Sequence, residues 1–332
     1  MRLIPIAAGL AVFAAAPAFA DDSTAELATG GLAFVQTNDI TMQSEDLSVS
    51  MDAIKARYEF VNTSDHDVTT LVAFPLPDIK GDPDLNVAVP TEDPVNFVGF
   101  KTVVDGSPVT TKVQQRASAL GLDQTALLNS LGIPLAPQLE ATGQALDALP
   151  RDKWAELVKL GLASIDQYDV GKGMKDHLTP LWVLSTDFYW EQSFPTHKTV
   201  SIEHDYVPSV GSTAGLSFGT PESRTEAWFK DYVNKYCIDS TFLAAVDKSR
   251  KADGSDALTE RRIEFVLKTG SNWESAIHQF HVVIDKGSPK NLVSFCGEDV
   301  KKTGPTTFEM TKTDFEPDED LAILILTPMA EE

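Results

Sequence analysis

The chain has 332 residues, enough for two domains that each bury a core. Its 27 Lys and Arg residues against 49 Asp and Glu residues give a formal net charge of −22. Because no basic cluster offsets this charge, nucleic acid is excluded as a partner and an anionic membrane surface is disfavoured. After residue 20 no segment has the length of a membrane-spanning helix, and the nearest candidate, 321–328, has the length of a strand.

The first 20 residues have the pattern of a secretory signal peptide. Arg2 precedes a short apolar run, and residues 18–20 (AFA) form a small-x-small cleavage site. We therefore predict cleavage after Ala20 and a periplasmic location. In an exported protein the two cysteines, Cys237 and Cys296, are expected to form a disulfide. They lie 59 positions apart, a loop whose closure would stabilise the fold by about 4 kcal/mol.

The N-terminal half begins with strand patterns. Apolar and charged side chains alternate over 54–60, a turn follows at 62–67, and 68–75 is predicted to return as the hairpin partner. Further along, Asp105-Gly106 lies between two apolar runs and is the strongest hairpin signal in the chain.

At about Gln114 the hydrophobic period changes from that of a strand to that of a helix. Three short apolar stripes follow, the first after Asp123 and the third after Pro150, a residue suited to the first turn of a helix. Glycines and prolines between the stripes argue against one long helix. The pattern therefore predicts a small helical insertion over 114–165.

The region 182–211 predicts two half-buried antiparallel strands that turn at 194–198. Large apolar or aromatic side chains occupy many even positions, namely Trp182, Leu184, Phe188, Trp190, Phe194, Val200, Ile202, His204 and Tyr206. An aromatic face of this kind is typical of the core of a β-sandwich or barrel.

These patterns predict a mostly β fold with two β-sandwich-like domains, the first carrying the small helical insertion. The first domain covers 21–219, after the signal peptide at 1–20. The second covers 220–332 and begins with a helical connector, in which Trp228 and Tyr232 share one stripe. A second, smaller set of strands completes the chain.

The sequence at 56–79, at 190–211 and at 280–324 resembles a family of exported bacterial proteins described as a domain of unknown function, of the 4424 type. This resemblance implies a periplasmic protein and no particular activity. The sequence at 59–77 and 100–117 is also similar to the vault/inter-alpha-trypsin β-sandwich domain. Proteins with that domain usually also carry a von Willebrand A domain with a DxSxS metal motif. The letters D-x-S-x-S occur at 46–50 (DLSVS), but the resemblance covers only the β-sandwich domain, so the metal-dependent adhesive role of the von Willebrand A domain does not carry over.

Four side chains are the candidate binding residues: Trp182, Trp190, His204 and Tyr206. They would line a groove for a sugar or lipid, but aromatic residues at strand period more often form a core. In that case His204 is a core imidazole that hydrogen-bonds the backbone or a tyrosine, rather than a ligand-binding or acid–base group.

A calcium loop is a weaker candidate, with Asp82, Asp84, Asn86 and Asp93 as its ligands. Oxygen ligands at alternating positions suit a hard cation. The sharp turn of such a loop needs glycine where this chain has Val87, so a polar surface loop is the favoured interpretation. We predict no bound metal and no cofactor.

Other catalytic patterns are weak or missing. His278 and His281 lie three apart in a predicted strand and should point to opposite faces, unlike a metal-binding pair. His66 is expected in a solvated turn. A G-x-S-x-G pattern occurs at 215–219 (GLSFG), with Ser217 at the nucleophile position. The preceding strand pattern ends at about 206 and the next helical stripe begins at 228, so the pattern lacks the strand–turn–helix context of a nucleophile elbow. These weak patterns argue against an enzyme.

We favour a non-catalytic periplasmic binding or protein-interaction module of the cell envelope, with an envelope protein or a small ligand as its partner. A second possibility is a glycan- or lipid-binding protein with its site between the sandwich and the inserted helices. A third is a periplasmic hydrolase that uses His204 with Asp205 or Glu203. Strand alternation opposes the hydrolase, because both acids point away from the imidazole.

Overall fold

The computed structural model describes residues 22–28, 31–83, 86–169, 171, 173–252 and 254–329. The signal peptide predicted at 1–20 lies outside these residues. The fold is mostly β, with 45% strand and 16% helix, which confirms the predicted fold class.

Twenty-two strands form within the described residues. They are β1 (Ser23–Ala28), β2 (Gly31–Phe34), β3 (Ile40–Val49), β4 (Ile54–Asn62), β5 (Val68–Pro75), β6 (Ile79–Lys80), β7 (Asn86–Ala88), β8 (Lys101–Val104), β9 (Ser107–Val109), β10 (Lys112–Ala119), β11 (Leu122–Asp123), β12 (Ala163–Tyr168), β13 (Lys175–Pro180), β14 (Val183–Phe194), β15 (Thr199–Tyr206), β16 (Val210–Ser212), β17 (Leu258–Phe265), β18 (Ile277–Asp285), β19 (Leu292–Phe295), β20 (Lys301–Lys302), β21 (Thr307–Phe315) and β22 (Leu321–Pro328).

The same part of the chain forms five α-helices: α1 (Thr125–Ser130), α2 (Glu140–Asp147), α3 (Arg151–Lys159), α4 (Ala227–Tyr236) and α5 (Ser240–Lys248). Two 3-10 turns occur at Ser223–Thr225 and Lys268–Asn272. Among the described residues, every helix is too short or too polar to cross a lipid bilayer.

In the described part of the chain the strands form four sheets. An eight-stranded sheet has the order β20-β21-β18-β3-β4-β15-β8-β9. A seven-stranded sheet has the order β11-β10-β14-β5-β1-β2, with β6 paired to β14. A five-stranded sheet has the order β19-β22-β17-β16-β7, and β12 and β13 form a separate hairpin.

Two predicted strand pairings are wrong, although the strands themselves are present. β4 lies in the eight-stranded sheet and its predicted partner β5 in the seven-stranded sheet. Likewise, β15 lies in the eight-stranded sheet and its predicted partner β14 in the seven-stranded sheet. In each pair, both strands point their apolar side chains into the same core, because the two strands face each other from different sheets and do not pair through backbone hydrogen bonds. The chain therefore crosses between layers at 62–67 and 194–198. Asn62 links the two crossings, since its Nδ2 donates to His66 O and to Phe194 O, each at 2.8 Å.

The hairpin predicted at Asp105-Gly106 is confirmed by the pairing of β8 with β9. Asp105 has φ 48° and Gly106 has φ 77°, both in the left-handed region that a tight two-residue turn requires.

β22 lies between two layers of the fold, the helices α4 and α5 on one side and the main core on the other. Its side chains are buried on both faces over 321–326. One face packs against α4 and α5, and the other belongs to the main core between the sheets. A strand covered on both faces has no polar alternation, which explains the continuous apolar run in this segment.

The helices α1 to α3 lie within the predicted insertion, 114–165. The first residues of that range belong instead to β10, which pairs along β14, and its last residues begin the β12–β13 hairpin. β18 pairs in parallel with β3, so strands from both sides of residue 219 form one sheet. The division into 21–219 and 220–332 stays a prediction, and a shared sheet and core cross it.

The predicted disulfide is present between Cys237 and Cys296, with Cα atoms 5.0 Å apart. It joins the C-terminal end of α4 to the residue after β19. The bond therefore fixes α4 against the five-stranded sheet.

Candidate functional site

The four predicted binding residues lie in the core between the large sheets. Trp182, Trp190, His204 and Tyr206 are each at most 4% exposed. The His204 ring centroid is 4.7 Å from that of Phe74 and 5.6 Å from that of Trp190. These side chains therefore pack as a core, with no wall of an open groove among them.

His204 is hydrogen-bonded through both ring nitrogens. Nε2 lies 3.0 Å from Asp22 Oδ1, and Nδ1 lies 3.1 Å from the hydroxyl of Thr102. Burial raises the pKa of Asp22, and the adjacent imidazole opposes part of that rise. Glu203 and Asp205 lie on the exposed face of the same strand, where each pairs with a basic residue of β4. The arrangement is that of a structural histidine.

The inserted segment closes the sandwich next to Trp182. The indole Nε1 donates to Leu135 O at 2.7 Å. Buried apolar side chains from the same segment belong to the same core cluster as Trp182, namely Ile133, Ala136, Leu139 and Leu162. The contact around Trp182 is therefore packed.

The predicted calcium ligands are engaged separately where the structure describes them. Asp82 lies 3.5 Å from Lys80, and Asn86 begins β7. Asp93 Oδ1 accepts two backbone N–H groups at 2.8 and 2.9 Å, which lowers the pKa of this carboxyl. Asp84 lies outside the described residues. Over the part of the chain that is described, no three His, Cys, Asp or Glu side chains are grouped to hold a metal ion.

The other histidines occupy separate places. His278 Nδ1 lies 2.9 Å from Asp314, and His281 Nδ1 lies 3.1 Å from Asp46. His66 is exposed in its turn. These contacts are surface pairs, which contribute little to stability and hold no shared ligand.

His177 was not singled out by the sequence. Its Nδ1 lies 2.5 Å from Asp147 Oδ2, and Asp147 Oδ1 accepts the backbone N–H of Leu178 at 2.9 Å. The ring also stacks on Tyr168 at 4.0 Å. Because Asp147 ends α2 and His177 lies in β13, this pair fastens the inserted helices to the hairpin.

A cleft of about 440 Å³ opens where α4 meets the seven-stranded and five-stranded sheets. Gly211 of β16 lies opposite Arg262 of β17 in the sheet register. Tyr232 and Tyr236, one helical turn apart on α4, supply an aromatic wall. The volume is within the usual range for a small-molecule site.

Arg262 is the central side chain of this cleft and is 16% exposed. It crosses Gly211, where an added Cβ would lie 3.5 Å from Arg262 Nε. Its Nη1 is 3.9 Å from Glu260 Oε2, too far for a direct hydrogen bond. Its Nη2 is buried and has no hydrogen-bond partner among the residues described. A buried guanidinium donor is normally paired, so this open donor calls for an explanation.

Glu260 does not pair closely with Arg262 because other donors hold its carboxylate. The backbone N–H and the hydroxyl of Ser217 donate to Oε1 at 2.5 and 2.7 Å. The hydroxyl of Tyr232 donates to Oε2 at 2.6 Å. Burial, followed by the neighbouring Glu260, raises the pKa of Tyr232, so its hydroxyl stays protonated and continues to donate. The Nη2 donor of Arg262 therefore stays without a partner among the described residues.

The lysines at the rim of the cleft already have partners. Lys235 Nζ donates to Glu264 Oε1 at 2.5 Å, and Lys80 lies 3.5 Å from Asp82. Arg262 is therefore the cation of this cleft best placed to receive an anion.

Sequence reasoning missed this cleft. On β17, Glu260, Arg262 and Glu264 alternate with the core residues Ile263 and Phe265, a pattern that indicates a solvated face. The docking of α4 covers that face. The available signal was the row of three charged residues at alternate positions of β17. No local pattern shows that α4 packs against this face.

The family model described as Domain of unknown function (DUF4424) matches residues 20–324. A protein from Legionella pneumophila, described provisionally as a nutrient binding protein, has 15% identity and a TM-score of 0.47 over 93% of this chain and 70% of that chain. An M1 zinc metallopeptidase from Deinococcus radiodurans has 11% identity and a TM-score of 0.19 over 87% of this chain and 43% of its own. No curated protein matches the sequence. At these scores neither structure carries a functional argument, and the vault/inter-alpha-trypsin similarity stays a prediction.

Proposed function

Because this chain belongs to the Domain of unknown function (DUF4424) family, whose description states no activity, we propose its function from the cleft: it is an exported, non-catalytic binding protein for a small solute that carries a carboxylate. Arg262 receives the carboxylate, and the rings of Tyr232 and Tyr236 pack against the body of the solute. Export to the periplasm is part of the proposal and is supported by the leader pattern at 1–20.

The observation that carries this proposal is the open donor of Arg262. A buried polar group without a partner costs about 1–3 kcal/mol, and more when it is charged. The planar fork of a guanidinium matches a carboxylate, and charge-assisted bonds of this kind are stronger than neutral ones. An anionic ligand would therefore complete a site that the protein leaves unfinished.

The outer face of the eight-stranded sheet is the competing surface for a partner. It forms a concavity of about 620 Å³ lined by rows of charged side chains. Its opposite charges already neighbour each other, with Lys55 at 3.9 Å from Asp205 and Arg57 at 3.8 Å from Glu203. A ligand would gain less binding free energy on a face whose charges are already paired than at the unpaired donor of Arg262 in the cleft. We therefore rank the protein-interaction function second.

Hydrolysis and the binding of a glycan or lipid have weaker support. A hydrolase would need a free nitrogen on His204, whose two nitrogens are engaged by Asp22 and Thr102. A neutral glycan or a neutral lipid would leave the charge of Arg262 unpaired. The cleft therefore favours a small anion.

Isothermal titration of the protein lacking residues 1–20 with succinate tests the proposal, with succinamide as the uncharged comparison. We expect saturable binding of succinate with a Kd below about 1 mM and no binding of succinamide in that range. Arg262→Gln should weaken succinate binding by about tenfold or more, because it removes a charge-assisted contact.

Arg261→Gln is the matched control, since Arg261 lies on the same strand and points to its other face. It should leave succinate affinity unchanged. Equal binding of succinate and succinamide, or equal losses in the two arginine variants, would overturn the proposal.

A further inference from the structure

A smaller cavity of about 180 Å³ adjoins the Arg262 cleft. Lys80 and Val87 line both spaces. Its other walls come from the inserted segment, at Gln138, and from the backbone of Gly81. A Cβ at Gly81 would collide with Pro180 O, so glycine is required for the strands to approach here. The cavity thus lies between the sandwich and the insertion.

Gln138 is unusual among the polar side chains of this cavity. Both terminal atoms of its amide, Nε2 and Oε1, are buried, and neither has a hydrogen-bond partner within the described residues. A glutamine amide offers two N–H donors and a carbonyl acceptor. Because both ends are open, the choice between the two flipped orientations of the amide does not affect this conclusion.

A buried amide with an open donor beside an open acceptor is complementary to a ligand that offers an acceptor and a donor side by side, as an extended peptide does through the C=O and N–H of one residue. Such a residue donates its N–H to Oε1 and accepts from Nε2 through its C=O, whereas the N–H and C=O of a single trans amide point in opposite directions and cannot do both. A carboxylate would leave Oε1 unpaired, and an ether or ketone would do the same. The two open atoms of Gln138 therefore favour a peptide backbone over these groups.

We propose that the cavity is an amide-binding subsite and that the solute of the Arg262 cleft is a short peptide. Its carboxylate lies on Arg262, and the N–H and C=O of one of its residues lie on Gln138. This inference rests on the proposed function, and it adds the class of ligand. It also gives the inserted segment a role, because the insertion supplies Gln138 to a site otherwise built by the sheets and α4.

The test compares succinate with N-acetylated peptides of one, two and three alanines in isothermal titrations. For the wild-type protein we expect the best of these peptides to bind about tenfold tighter than succinate, since two buried hydrogen bonds are added. In Gln138→Met, the methionine side chain has a length similar to that of glutamine and cannot form these two hydrogen bonds. It should remove the advantage of the peptide and leave succinate affinity unchanged, which also shows that the variant is folded.

Gln144→Met is the matched control, because Gln144 is an exposed residue of α2 in the same insertion. It should keep the full advantage of the peptide. If succinate binds but no peptide binds more tightly, or if Gln138→Met keeps the advantage, the amide subsite is overturned while the Arg262 site stands. If neither ligand binds, both proposals are overturned.

Discussion

Asp187→Asn should stabilise the protein at neutral pH, although it removes a carboxylate. Asp187 is 4% exposed and lies near Gln114, whose Nε2 is 3.5 Å from Asp187 Oδ2. Gln114 Oε1 in turn accepts the backbone N–H of Leu32, so the N-terminal hairpin lies close to this site. Burial raises the pKa of Asp187 from 3.8 to about 6, while Arg116 opposes the rise and Asp78 adds to it.

The size of the effect follows from this difference in pKa. A rise from 3.8 to about 6 corresponds to about 3 kcal/mol. Because the folded-state pKa lies above the unfolded value, the protonated carboxyl contributes stability that is fully present below pH 3.8 and is lost as the pH rises through about 6. The amide of the variant stays neutral, so the variant does not lose this stability as the pH rises.

Urea unfolding, followed by tryptophan fluorescence, measures the difference between about pH 4 and about pH 8. We expect Asp187→Asn and wild type to be nearly equal at the acidic end and the variant to be more stable by up to about 3 kcal/mol at the basic end. Glu191→Gln, an exposed neutralisation on the same strand, controls for net charge. A difference that is constant with pH, or one that favours wild type at pH 8, would refute the reasoning.

Three further outcomes follow from the contacts. His204→Gln removes the imidazole that bonds both Thr102 and Asp22 within the aromatic core and should lower the free energy of unfolding by about 1–3 kcal/mol, measured by urea titration. Replacing Cys237 and Cys296 together by serine should cost about 4 kcal/mol, seen as a fall in urea midpoint that reduction of wild type reproduces. Tyr232→Phe removes a donor from Glu260, which then competes for the arginine of the cleft, so succinate affinity should fall about three- to tenfold in calorimetry. An unchanged value in any of these measurements contradicts the contact concerned.

The local part of the fold could be predicted because its signals are local. The turn at Asp105-Gly106 needs left-handed backbone at both positions, and these residues tolerate it. The helix stripes of the insertion and the alternation in 182–206 also follow from side-chain direction alone. Strand pairing could not be predicted in the same way. Two strands that bury alternate side chains in one core lie either side by side in one sheet or opposite each other in two facing sheets. The alternation of apolar and polar residues is the same in both cases.

The candidate site depended on contacts between distant segments, and this is why it escaped prediction. The aromatic residues around His204 were correctly placed together, but packing of the insertion at Trp182 made their surroundings part of the core. Arg262 has the sequence pattern of a surface residue, and only the docking of α4 covers its strand. Gln138, in a segment between two short helices, had no pattern that showed its amide would be buried without a partner among the described residues.

The most direct test of the binding site is an NMR titration that observes the arginine side-chain N–H resonances as succinate is added. The Arg262 signal is identified by its loss in Arg262→Gln, and Arg261 serves as the internal reference. We expect the Arg262 resonance to shift saturably, with the Kd found by calorimetry, while the Arg261 resonance stays in place. A stationary Arg262 resonance at succinate concentrations that saturate the protein would contradict the account.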